Sequence, residues 1–147
     1  MLGENDPCII LPDVYPKKIV PEIFWAALID VFRDALVEFT KTIKVGNGTD
    51  PDSQLGPVQN INQYKKVFSF FEDAHANKYK FAVGGDVNPN PTNGLFVPVS
   101  FVDNPPEDSM IVQEEPFGPI VLLLKWSDEK DVIKRASVFP KFAKVEL

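Results

Sequence analysis

The sequence predicts a layered α/β domain, in which a mostly parallel sheet is flanked by helices, because strand-like and helix-like segments alternate along the chain. Two segments, near residues 28–43 and 60–77, carry apolar side chains at helical spacing with charged residues opposite. Three apolar runs, at residues 80–83, 95–102 and 120–126, are predicted as strands. A chain of 147 residues, 44% of them hydrophobic, is long enough for one domain with its own core.

Two further elements are predicted before the first strong helical segment. Cys8-Ile-Ile-Leu11 is a short run with both faces apolar, which favours a buried strand, and Pro12 ends it. A helix is predicted to begin at Pro16 or at Pro21, since proline is favoured in the first turn of a helix.

The boundaries of the later elements are marked by turn and capping residues. Residues 46–57 are dense in residues that favour turns and are predicted to form an ordered loop. Asn60 is a predicted N-cap for the second helix. Residues 127–130 resemble a capping box for the last helix, which Pro140 is expected to stop. The residues of the second helix expected to face inward are Ile61, Tyr64, Val67, Phe68 and Phe71.

Composition argues against several classes of function. The chain has a formal net charge of −6, so it offers no basic stripe that could neutralise phosphates, and no nucleic-acid partner is expected. Its longest apolar stretch, residues 120–124, is far too short to span a bilayer, so no membrane association is expected. A lone cysteine, Cys8, and a start without signal-peptide character predict a cytoplasmic protein.

Four stretches carry a specific resemblance that extends over nearly the whole chain. They are Asn5-Asp-Pro-Cys-Ile-Ile-Leu-Pro-Asp13, Pro21-Glu-Ile-Phe-Trp-Ala-Ala27, Asp50-Pro-Asp-Ser-Gln-Leu-Gly-Pro57 and Gln113-Glu-Glu-Pro-Phe-Gly-Pro119. In order and spacing the chain resembles the catalytic half of aldehyde dehydrogenases, particularly those of fungi. The resemblance implies that residues 1–147 form one truncated catalytic-domain remnant, with residues 138–147 as a divergent tail.

The resemblance also implies that the family's chemistry is lost. In the family a cysteine thiolate attacks the aldehyde, a bound nicotinamide accepts hydride and a glutamate activates water. The cysteine should follow Ala27 in a Gly-Gln-x-Cys stretch, yet the chain passes directly to Leu28. Met1 stands where the glutamate is expected, and Cys8 has no histidine or cationic cluster near it in sequence to lower its pKa. No Gly-rich phosphate-binding turn is found, so we expect no aldehyde oxidation and no cofactor.

One motif of the cofactor site is retained. Glu115-Pro-Phe-Gly-Pro119 matches the family's Glu-x-Phe-Gly-Pro, whose glutamate bonds the nicotinamide ribose and whose phenylalanine packs against the nicotinamide. Its other interpretation is a simple turn that leads into the strand at Ile120, and the sequence favours that turn.

The leading hypothesis for function is an emptied, aromatic-lined cleft that holds an apolar small molecule. Such a pocket can promote a cofactor-free cyclisation, cycloaddition or isomerisation, or a lyase reaction, as in fungal secondary metabolism, by holding a folded substrate conformer. The candidate lining aromatics are Phe24, Trp25, Phe101 and Phe117. Glu115 and then Glu114 are the candidate acid or base groups, and Gln113 is a candidate hydrogen-bond donor.

Two alternatives remain open at this point. The surface uncovered by loss of the cofactor domain is expected to be apolar, so the chain is expected to pair with itself or to dock as a regulatory partner on a full-length dehydrogenase. A decayed gene without selected function is the third possibility.

No metal site is predicted, because the acidic residues of the later segments lack histidine neighbours. These residues are Glu107, Asp108, Glu114 and Glu115.

Overall fold

A computed structural model describes residues 30–126 and 128–138, which form helices packed on a small sheet. In chain order the elements are α1 Asp30–Lys41, α2 Ile61–Ala76, β1 Lys80–Val83, β2 Ser100–Asp103, α3 Met110–Gln113, β3 Ile120–Leu123 and α4 Glu129–Val138. The predicted layered α/β class is confirmed. The predictions that fall on Cys8 to Leu11, Pro16, Pro21, the Ala27 to Leu28 junction and Pro140 lie outside the described residues.

Within the described residues the sheet has three strands in the order β1-β2-β3, with β2 between the other two. Strand β2 pairs parallel with β3, from Ser100 opposite Ile120 to Asp103 opposite Leu123, but antiparallel with β1. The expectation of a mostly parallel sheet was therefore wrong for the described strands. The connections explain the difference: residues 104–119 include α3 and are long enough for a parallel crossover, whereas no helix lies between β1 and β2.

Glycine is required where β1 ends. Gly84 and Gly85 both have positive φ, at +71° and +101°, where any residue that carries a Cβ atom is strained. A Cβ atom on Gly84 would also lie 2.7 Å from the carbonyl oxygen of Val99. The amide of Gly85 donates to the buried Ser100 hydroxyl at 3.0 Å, which links this turn to the central strand. The two glycines thus let the chain leave β1 close against β2.

The core lies between α2 and the sheet. The helix contributes five buried side chains, Tyr64, Val67, Phe70, Phe71 and Ala74. Strand β2 is buried along its first three residues, consistent with its central place. The inward face of α2 was predicted nearly correctly, but Phe70 replaces Phe68 among the buried residues and Ile61 is 46% exposed. Ile61 is the first residue of the helix, where its side chain lies beyond the edge of the core.

The predicted start of α2 is confirmed in detail. Asn60 has extended backbone geometry, and its side-chain oxygen accepts a hydrogen bond from the Gln63 amide at 2.9 Å. An N-cap of this kind contributes about 1 kcal/mol to helix stability. The ordered loop at residues 46–57 is also confirmed, because Val45 and Leu55 form a bridge and the Gly46 amide donates to the Leu55 carbonyl at 2.9 Å.

The other boundaries differ from the sequence expectations. The runs predicted as strands at residues 95–102 and 120–126 shorten to β2 and β3, although Val97 and Val99 remain buried in the approach to β2. The short helix α3 was not predicted. Asp128 caps α4 by accepting from the Asp131 amide at 2.8 Å, and the part of the predicted capping box at Ser127 lies outside the described residues. Among all the described residues, no helix is long and apolar enough to cross a membrane.

Candidate functional site

The retained Glu-x-Phe-Gly-Pro motif forms the turn between α3 and β3. Phe117 has a φ of +47°, in the left-handed region that a bulky residue rarely adopts, and its side chain is 53% exposed. Gln63 of α2 holds this turn, since its Nε2 donates to the carbonyl oxygens of Pro116 at 2.9 Å and Phe117 at 3.2 Å. Strained backbone with an exposed aromatic ring is typical of ligand sites, where surrounding contacts maintain the strain.

An open cleft of about 760 Å³ lies beside this turn. Three segments form it: the loop at residues 55–59, one side of the first turns of α2, and the turn at residues 117–119. Most of the walls are apolar, and the side chains that make them are Leu55, Pro57, Val58, Phe117 and Pro119. The polar side chains are Gln59, Gln63 and Lys66. A largely apolar cleft with a few polar groups is the usual form of a small-molecule site.

Among the described residues that line the cleft, Lys66 is the only one with a formal charge. Its ammonium nitrogen lies 5.7 Å from the centroid of the Phe117 ring, a cation–π contact. Within the described ranges, no carboxylate forms a salt bridge with Lys66. The aromatic wall of the cleft therefore carries an unpaired positive charge at its edge.

None of the three polar candidates just before Phe117 lines the cleft. Gln113 closes α3 and donates its side-chain amide to the Glu107 carbonyl at 2.6 Å, so that donor is already engaged. Glu114 is exposed and its backbone amide donates to the Met110 carbonyl at 2.9 Å. Glu115 is half-buried, and its Oε2 atom is buried without a hydrogen-bond partner. Glu115 is thus the one candidate with an unused buried oxygen.

The candidate aromatics are placed differently from one another. Phe117 lines the cleft, whereas Phe101 is fully buried in the central strand as part of the main core cluster. Phe24 and Trp25 lie outside the described residues. Among the described residues, Phe117 is therefore the only candidate aromatic side chain that reaches the cleft.

Sequence reasoning missed most of the cleft. Gln63 and Lys66 lie one turn apart on the flank of the apolar stripe of α2, where polar residues normally face solvent. Leu55 and Val58 lie in a segment recognised only as a loop. The available signal was the spacing of Gln63 and Lys66, which puts both on one side of a helix, but spacing alone does not show what a helix faces.

Two other titratable groups have structural roles. Burial raises the pKa of Tyr64, whose hydroxyl donates to the Asn88 carbonyl at 2.8 Å and so remains a protonated donor. His75 contacts the Gly85 carbonyl at 2.8 Å through Nε2 and packs on Phe81, with ring centroids 5.1 Å apart. Over the described ranges, no group of three histidine, cysteine, aspartate or glutamate side chains is placed to hold a metal ion.

Comparison with known proteins identifies the family. Residues 22–138 match the model of the aldehyde dehydrogenase family. A probable aldehyde dehydrogenase of Pseudomonas is 30% identical, over 92% of this chain and 31% of the relative. The aldehyde dehydrogenase LUC3 of Fusarium is 33% identical, over 90% of this chain and 32% of the relative.

Solved structures agree with this. The aldehyde dehydrogenase of Bacillus cereus in complex with NAD+ superposes with a TM-score of 0.82 at 25% identity, over 92% of this chain and 31% of that protein. The chain thus spans about a third of the length of the relatives that it matches. With the family model covering residues 22–138 and the sheet and helices superposing on a solved member, the chain belongs to the aldehyde dehydrogenase family.

Proposed function

We propose that this chain is an aldehyde dehydrogenase domain converted to a different use: it binds an apolar, ring-bearing small molecule and promotes its cofactor-free cyclisation, cycloaddition or isomerisation. The observation that carries the proposal is Phe117, an exposed ring held at positive φ above a cleft of about 760 Å³. Large apolar rings are normally buried, and a strained one kept exposed at a cleft is best explained by contact with a ligand.

No Gly-Gln-x-Cys stretch follows Ala27, which supports a change of chemistry. Aldehyde oxidation in the family needs a thiolate that bonds covalently to the substrate carbon. The sequence has one cysteine, Cys8, and the resemblance places the missing nucleophile inside the chain, between Ala27 and Leu28. This position lies inside the chain, away from both of its ends. We therefore propose that the chain does not oxidise aldehydes.

The family's cofactor can be tested against the residues present. Glu115 fits the nicotinamide ribose, because its Oε2 atom is buried without a partner, and Phe117 fits the nicotinamide, because its ring is exposed. A bound nicotinamide would supply a hydride acceptor. In the proposed function Phe117 serves another ligand, and its ring is the surface on which that ligand lies.

Within the cleft the contribution of the protein is mainly positional. A unimolecular rearrangement is accelerated when the substrate is held in a reactive conformer, and fixed hydrogen-bond partners stabilise the charge that develops. Gln63 keeps the Phe117 turn in place through its two carbonyl contacts. Neither Glu115 nor Glu114 lines the cleft. Glu115 remains the first candidate for accepting a proton, because it lies two residues before Phe117 and has an unused buried oxygen, and Glu114 is the second.

A second candidate function is a regulatory partner that docks on a full-length dehydrogenase or on a second copy of this chain. Its support is that Ile61, Phe117 and Ile133 are all between 46% and 53% exposed. Single exposed apolar residues are common, so this support is weaker than that for the cleft. Co-purification with a full-length dehydrogenase, or a dimer in light scattering, would favour it.

Binding of a neutral aromatic probe tests the cleft directly. We expect 2-naphthamide to bind the wild-type chain and Phe117→Ala to weaken its binding about tenfold, since a lost ring contact costs about 1.4 kcal/mol. Dissociation constants would be measured by isothermal titration calorimetry. The control is Ile133→Ala, which removes another exposed apolar side chain that does not line the cleft and should leave binding unchanged.

Two results would contradict this expectation. If 2-naphthamide does not bind the wild-type chain at millimolar concentration, the cleft is not an aromatic-ligand site. If it binds equally well to wild type and Phe117→Ala, the ligand lies elsewhere. Thermal unfolding of each variant should accompany the titration, because Phe117 is exposed and its loss should leave the unfolding temperature nearly unchanged.

A further inference from the structure

The charge at the edge of the cleft gives information about its ligand. The chain as a whole has a net charge of −6, yet among the described residues that line the cleft the only charged one is a cation, Lys66. Its partner in the described chain is the Phe117 ring, at 5.7 Å. A cation–π contact at an exposed site is weak, so the ammonium group retains most of its capacity to bind an anion.

The other polar groups of the cleft are less available. Gln63 already uses its amide nitrogen on two carbonyl oxygens, of Pro116 and Phe117. Gln59 is neutral and exposed. The remaining side chains are apolar, with Leu55, Pro57 and Val58 forming the wall contributed by the loop. The described lining of the cleft thus combines one aromatic surface, one cation and apolar walls.

From this combination we propose that the ligand is a flat aromatic or polyene carboxylate, whose ring system lies on Phe117 and whose carboxylate bonds the ammonium group of Lys66. This inference rests on the proposed function, since it assigns the ligand class of the same cleft. A monoanion matches the one positive charge that the described lining supplies, whereas that charge would only partly neutralise a phosphate dianion. The apolar substrate expected from the sequence is thereby refined to an amphipathic acid.

Two probes that share a ring system but differ in charge distinguish the contribution of the charge to binding from that of the apolar contact. With the wild-type chain at low ionic strength, we expect 2-naphthoate to bind about fivefold more tightly than 2-naphthamide, as for a partly exposed ion pair. In Lys66→Met the two probes should bind equally, with 2-naphthamide within about twofold of its wild-type affinity. The advantage of the acid should also shrink as salt is added.

The matched control is Lys65→Met. Lys65 is an exposed neighbour on the same helix that does not line the cleft, so this variant removes the same charge and should keep the fivefold preference. Equal affinity of the two probes for the wild-type chain, or a preference that survives in Lys66→Met, would overturn the carboxylate inference while leaving the cleft itself intact. Failure of both probes to bind would instead reject the proposed function.

Discussion

Replacing Phe101 by alanine is expected to lower the free energy of unfolding by about 3–5 kcal/mol, the usual cost of truncating a fully buried phenylalanine. Its side chain is 0% exposed and lies in the central strand, between the pairings of β2 with β1 and β3. The loss is a large fraction of the stability of a typical domain, about 5–15 kcal/mol. Urea unfolding followed by circular dichroism would measure it.

Two further variants make the Phe101 result interpretable. Phe101→Leu keeps most of the volume and should cost less than about 1.5 kcal/mol, so it remains measurable if the alanine variant does not fold. Phe117→Ala removes an equally large ring from the cleft and should change stability by less than about 0.5 kcal/mol. If Phe101→Ala were as stable as wild type but lost 2-naphthamide binding, Phe101 would be a ligand contact rather than a core residue.

Gly118→Ala is expected to destabilise the domain by about 1–3 kcal/mol through overpacking. A Cβ atom at this position would lie 2.5 Å from Cγ2 and 3.0 Å from Cγ1 of Val67. Val67 is fully buried in α2, and its branched side chain has few alternative rotamers, so either the helix or the Phe117 turn must shift. Thermal unfolding and 2-naphthamide titration of the same sample would detect both effects.

Gly48→Ala serves as the matched control for this substitution. No atom lies within 4 Å of a Cβ built at Gly48, which is in the exposed loop before Leu55. Its stability should be unchanged or slightly raised, because alanine reduces the freedom of the unfolded chain. If Gly118→Ala behaved like Gly48→Ala, the close packing of the Phe117 turn against α2 would not be a constraint on the cleft.

Much of the fold was predictable because local signals agreed with tertiary packing. The stripe and cap of α2, the loop at residues 46–57 and strand β1 all follow from side-chain spacing or turn residues. The direction of β1 relative to β2 was not predictable in the same way. It depends on how the chain returns from Gly84 to Ser100, a long-range property that alternation of helices and strands does not specify.

The cleft was less predictable than the fold. Phe117 was found through its motif, but its exposure depends on a left-handed backbone angle and on Gln63, which is 54 residues away in sequence. Phe101 was grouped with it only because both are aromatic, and sequence does not distinguish a core ring on a central strand from a ring at a surface. Lys66 was missed because a charged residue on the flank of a helix normally faces solvent and not a cleft.

The most direct test of the proposed chemistry compares small-molecule extracts of the source organism with and without this gene by mass spectrometry. A cofactor-free cyclisation or isomerisation changes connectivity but not composition, so we predict that one metabolite is replaced by an uncyclised or isomeric precursor of equal mass. Replacement of a carboxylic acid by the corresponding aldehyde would contradict the account, because it would show that the chain takes part in aldehyde oxidation.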